Sequence, residues 1–213
     1  MAASDRADVL VVGGGPAGSA TSYWLAEAGH RVVCVERKQF PREKTCGDGL
    51  TPRAVHQLDD MGLYPALEKY HRYTGLRAIA HGVTLELEWP QHPTYPNHGF
   101  VVRRRDLDQL VFEHAGAAGA ETHQSTEAVA PIVENGLVAG ATVKDKATGE
   151  TREIRARYVV IADGANSRFG RALGTARNRA YPLGMAIRTY YESPLHDEPW
   201  IESCLDVRDR NGN

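Results

Sequence analysis

Four apolar residues in a row, Val9 to Val12, run straight into three glycines. An apolar run of strand length with β-branched bias and no polar alternation predicts a strand buried on both faces of a parallel sheet. Pro16 suits an early helical position, where its missing N–H has no partner to lose. The segment 17–29, AGSATSYWLAEAG, predicts a helix stopped by Gly29. RVVCVE repeats the buried-strand pattern and closes a β–α–β unit.

The pattern then changes. TPRAVHQLDDMG predicts a short helix capped by Thr51 with Pro52 just inside. LRAIA, VTLELEW and GFVV predict strands, the second with clear period-two alternation. RDLDQLVFEHAGAAG predicts a helix with Leu107, Leu110, Val111 and His114 on one face. From Ala128 to Gly164 two turn signals, ENG and ATGE, divide the chain into a three-stranded antiparallel meander ending in a buried strand, Tyr158–Ala162. NSRFGRALG predicts a short helix, and GMAIRTYYES and WIESCLDV predict strands. The final DRNGN is a hairpin-turn signal with no returning strand, so the expectation is the N-terminal part of a longer protein.

The chain has 213 residues, 42% hydrophobic and 24% charged, with a net charge of −2, which suits a globular protein with a sizeable core. Basic residues cluster only at Arg103–Arg105, so nucleic acid is not an expected partner. No apolar run approaches the ~20 residues of a membrane span and no signal peptide opens the chain, so a cytoplasmic location is expected. Three widely spaced cysteines argue against a disulfide framework. His92 and His98 in a proline-rich loop raise a zinc site, but their spacing favours a solvated loop, and no metal is expected.

GGGPAG carries the first chemistry. Gly13, Gly15 and Gly18 stand in the G-x-G-x-x-G positions between a predicted strand and a predicted helix, the context this motif needs to bind a dinucleotide. Gly13 would make the tight turn, Gly15 let the backbone approach a pyrophosphate, and Gly18 let helix and strand pack closely. Glu36, at the end of the second strand, would accept from an adenosine ribose and repel a 2′-phosphate, which excludes NADP here. The glycines alone do not separate NAD from FAD. In KTCGDGLTPR, Cys46 is open to several readings: metal ligand, nucleophile, packing residue, or part of a loop lying against something flat.

Three features occur together: the dinucleotide motif, Arg104 before a mid-chain helix, and a strand delivering Asp163–Gly164 into a turn. In this the sequence resembles flavoproteins of the p-hydroxybenzoate hydroxylase type. Within them, FPREKTCGDGLTPRAV resembles the geranylgeranyl reductase family, most of all its actinobacterial menaquinone reductases. The resemblance implies an α/β fold: a Rossmann-like FAD-binding domain with a mostly parallel sheet and an antiparallel meander, plus an incomplete mixed-sheet substrate domain. The first would comprise residues 1–73 and 99–177, the second 74–98 and 178–213. FAD would be held by the run Gly13, Gly14, Gly15, Pro16, Ala17 and Gly18, by Glu36 with Arg37, and by Arg104, Asp163 and Gly164. Val129 would meet the adenine side through its backbone. Cys46, Gly47, Asp48 and Gly49 would form a loop near the flavin, with Cys46 the candidate catalytic residue. The implied activity is FAD-dependent reduction of isoprenoid double bonds. Its partners would be a prenyl-lipid substrate, an external electron donor (NAD(P)H, ferredoxin or another reductant) and the inner membrane surface. The same motifs also fit an FAD-dependent aromatic hydroxylase or halogenase, or a non-catalytic FAD-binding fragment.

Overall fold

The computed structural model describes residues 6–175, 178, 180–182 and 184–206. The Asn-Gly turn signal at the end of the chain lies outside them. In chain order the elements are β1 (Arg6–Val12), α1 (Pro16–Glu27), β2 (Val32–Val35), β3 (Gly49–Leu50), α2 (Pro52–Asp60), α3 (Tyr64–Leu67), β4 (His71–Tyr73), β5 (Gly75–Ala80) and β6 (Val83–Glu88). There follow β7 (Gly99–Val101), α4 (Arg104–Ala117), β8 (Glu121–His123), β9 (Thr126–Glu134), β10 (Leu137–Asp145), β11 (Thr151–Ile161), α5 (Arg168–Ala172) and β12 (Trp200–Cys204). The fold is α/β, and it divides into two compact units: Met1–Lys44 with Arg104–Met185, and Thr45–Arg103 with Ala186–Asn213.

The first unit is built on a six-stranded sheet in the order β8-β2-β1-β11-β10-β9. β8, β2, β1 and β11 run parallel, and β10 and β9 add the antiparallel meander. The unbroken apolar runs explain the centre of this sheet. Leu10 and Val12 face one cluster with Val33, Val35, Ile154 and Phe169. Val9 and Val11 face the other, with Cys34, Phe112 and Ala115, against which Tyr23 and Leu25 of α1 also pack. Full burial of such side chains contributes ~1.5–3 kcal/mol each. α1 ends where expected: Gly29 takes φ +82°, which a residue with a Cβ adopts only under strain. Asn135 and Gly136 both have positive φ, as the hairpin turn between β9 and β10 requires.

Three expectations need correction. β11 is not buried at its end: Tyr158 is 65% exposed. Its register with β10 stops at Arg155, so the segment beyond has only β1 beside it among the described residues. On α4 the inward face carries Leu107, Asp108, Val111, Phe112 and Ala115, while Leu110 and His114 are partly exposed, His114 stacking on Tyr23. The described residues of GMAIRTYYES form no strand.

The second unit holds two three-stranded sheets, β12-β5-β6 and β3-β7-β4. β6 alternates apolar and polar as the sequence indicates, yet all its residues are exposed. Opposite faces of β12-β5-β6 differ sharply. Leu76 pairs with Leu87 and Ile201 on one face, and Arg77 binds Glu86, Glu198 and Glu202 on the other.

Candidate functional site

A cleft in the first unit opens where β1, β2 and β11 end. It is lined by Gly13, Gly15, Pro16 and Ala17 from the β1–α1 turn, Glu36 and Arg37 after β2, Arg104 from α4, and Asp163 and Gly164 after β11. The glycines have separate jobs. Gly13 takes φ +106°, and a Cβ there would stand 2.5 Å from the Ala162 carbonyl oxygen. A Cβ at Gly18 would collide with the Gly13 carbonyl, so helix and turn can be this close only without one. Gly14 is backed by the ring of Phe112. At Gly15 the nearest atom to a Cβ is 3.6 Å away, which leaves the turn open on the cleft side. Gly15 is also the N-cap of α1 and supplies no side-chain cap, so the positive end of the helix faces an uncapped turn.

Glu36 is buried, with Oε2 accepting from the Gly14 N–H at 2.9 Å and Oε1 from the Lys38 N–H at 3.0 Å. Each oxygen keeps a second lone pair for a hydroxyl donor. Asp163 accepts from the Arg168 and Phe169 N–H groups through Oδ2, which fixes the start of α5. Its Oδ1 is buried without a hydrogen-bond partner. Arg104 spans both oxygens of the fully buried Asp108, with Nε at 2.7 Å from Oδ1 and Nη2 at 3.0 Å from Oδ2. Arg42 adds a second guanidinium to that carboxylate at 2.9 Å. Arg42 is not apparent as a site residue from the sequence. A cation after a proline in a polar stretch reads as solvated, and only the Asp108 carboxylate on α4 makes it a buried one.

The cleft suits a flavin dinucleotide. It offers an uncapped helix start for the diphosphate, a buried carboxylate at a strand end for a ribose, and an orphaned acceptor, Asp163 Oδ1, for a further hydroxyl. Val129, expected at the adenine side through its backbone, is 47% exposed, and its neighbours Thr126, Glu127 and Ala128 line the cleft.

The Cys46 loop belongs to the second unit. Cys46 and Gly47 are exposed. Asp48 accepts from Tyr190 Oη at 2.9 Å and pairs with Arg188 at 3.3 Å, and Gly49 begins β3 against Val101. A second hollow in this unit is lined by His56, Tyr64, His92, Tyr95 and His98. His92 Nδ1 accepts from two backbone N–H groups, and His98 Nε2 pairs with Tyr64 Oη at 3.0 Å. Among the described residues no three potential metal ligands converge. Burial first, and then Arg72, lower the pKa of His98. Burial pushes the Cys34 thiol up to about 12, so this cysteine stays protonated within the core.

The FAD binding domain family matches residues 6–205. Menaquinone reductase of Mycobacterium tuberculosis is 39% identical over 213 residues, all of this chain and 51% of that protein. The chain thus spans about half the length of such relatives. Among solved structures, a geranylgeranyl bacteriochlorophyll reductase-like protein from Thermoplasma acidophilum is 29% identical with a TM-score of 0.69, covering 81% of this chain and 43% of that one. A myxobacterial chondrochloren halogenase, FAD-dependent, is 25% identical with a TM-score of 0.73, covering 78% of this chain and 39% of the other.

Proposed function

The chain belongs to the FAD binding domain family, and from that premise we propose that the protein is an FAD-dependent reductase that saturates carbon–carbon double bonds of an isoprenoid lipid. The observation that carries this reading is the 39% identity with a menaquinone reductase along the entire chain. When bound and reduced, FAD would supply the hydride that, with a proton, saturates a carbon–carbon double bond. The residues of this chain bind and orient. The Gly13–Gly18 turn and the start of α1 receive the diphosphate, Glu36 accepts from the adenosine ribose, and Asp163 accepts from a further hydroxyl. Arg104, which lines the cleft and grips Asp108, contacts the cofactor from the start of α4, and Arg37 and Gly164 border the same cleft.

The substrate is the prenyl tail of a quinone or a geranylgeranyl group, and the electrons come from NAD(P)H, ferredoxin or another reductant. Such a substrate brings the protein to the inner membrane surface as a peripheral enzyme. No helix among the described residues is long and apolar enough to cross a membrane. Incubating the FAD-loaded enzyme with a chemical reductant and menaquinone, then weighing the products, tests the reading. A gain of two hydrogens per double bond is expected. A second reading, an FAD-dependent hydroxylase or halogenase, is favoured by the halogenase neighbour. Incorporation of labelled oxygen or of halide into an aromatic substrate, with no hydrogen gain in the prenyl chain, would overturn the first reading in favour of the second.

A further inference from the structure

We propose that Arg42 is a ligand of the cofactor diphosphate, held over the Gly15 turn by Asp108. The side chain is only 10% exposed. Nη1 forms an ion pair with Asp108 Oδ2 at 2.9 Å, and the guanidinium lies 4.9 Å from the centre of the Phe40 ring. These contacts fix the group in place but use few of its five N–H donors. Nε is buried and makes no hydrogen bond. Its nearest carboxylate oxygen, Glu36 Oε1, is 3.6 Å away, too far for one. That carboxylate is held instead by the N–H groups of Gly14 and Lys38. Nη2 lies 3.6 Å from the place a Gly15 Cβ would take. A buried guanidinium with Nη2 on the Gly15 side therefore stands beside the uncapped start of α1.

The two features reinforce each other. The helix start presents backbone N–H groups and a partial positive charge, and the guanidinium adds a full charge and a planar set of donors that matches phosphate oxygens. Arg42 and Arg104 share Asp108, and Glu36 Oε1 lies 3.6 Å from Arg42 Nε, while Nη2 is the nitrogen beside Gly15. Asp108 is thus a positioning residue for Arg42. Arginine is needed because its planar fork reaches a carboxylate with one edge and a phosphate with another, whereas the ammonium of lysine is a single point of charge.

The test separates charge recognition from folding. The 213-residue chain is titrated by calorimetry with FAD, ADP and adenosine, as wild type and as Arg42→Gln and Arg42→Lys, with circular dichroism as the check on fold. Arg42→Gln is expected to weaken FAD and ADP about 10- to 100-fold, the loss that follows from one charge-assisted hydrogen bond. Adenosine, which lacks the diphosphate, should change less than about two-fold on the same reasoning. Arg42→Lys should recover part of the loss for ADP, and the salt dependence of ADP binding should flatten in Arg42→Gln. Equal weakening of adenosine and ADP would make Arg42 a structural residue and overturn the proposal. Unchanged ADP affinity in Arg42→Gln, or no ADP binding by the wild type, would overturn it too.

Discussion

Each unit gathers charge around arginine, with opposite consequences. In the second unit Arg77 meets Glu86, Glu198 and Glu202 on an open sheet face, with partners 36% to 45% exposed. Exposed pairs of this kind contribute little, because water and salt screen them and long side chains lose freedom in making them. In the first unit Arg42 and Arg104 hold Asp108, which has no exposed surface. Breaking a buried set leaves an uncompensated charge, and that is costly. The difference separates charge that builds a site from charge that keeps a sheet face soluble.

The largest effect that tests this contrast is Asp108→Ala. It should destabilise the first unit by about 3–5 kcal/mol, read from the midpoint of urea denaturation. A loss no greater than that of a surface variant would erase the contrast. The cysteines offer a kinetic version. Cys34 is fully buried with its thiol pushed up to about 12, whereas Cys46 and Cys204 are exposed. Iodoacetamide near neutral pH should modify Cys46 and Cys204 and spare Cys34 until the chain is unfolded, as mass spectrometry of the digested protein would reveal.

Acid should act on the second unit through His98. Its native pKa lies below its ordinary value, so the unfolded chain binds the proton first as pH falls. The stability that neutral His98 contributes is present above about pH 6.5 and is lost progressively below it. Urea midpoints at neutral pH and near pH 5 should differ more for the wild type than for His98→Gln. The smallest effect is expected from Arg77→Ala, which should leave the denaturation midpoint nearly where it was; a large shift would mean that the surface cluster is structural after all.

The legibility of the sequence follows the same divide. β1, β2 and α1 could be read because burial on both faces leaves uninterrupted apolar runs, and the glycines have steric roles that only glycine fills. Glu36 could be read from its place at a strand end. β3, β4 and β8 have two or three residues each, too few for any periodicity to register. The pattern of Tyr158–Ala162 correctly indicated a strand, but apolar residues do not say which neighbours will cover them. GMAIRTYYES is rich in strand-forming residues yet forms no strand among the described residues. Arg42 and Asp108 were invisible as a pair, since their meeting depends on α4 packing beside a loop far away in sequence.

That the first unit by itself forms the cofactor cleft can be tested by mapping ADP onto the backbone amides of the isotope-labelled 213-residue chain by NMR. Shifts are predicted at Gly13–Gly15, Ala17, Gly18, Glu36 and Gly164, with β5 and β6 unmoved. Shifts concentrated in the second unit, or none at the start of α1, would contradict the assignment of the cleft.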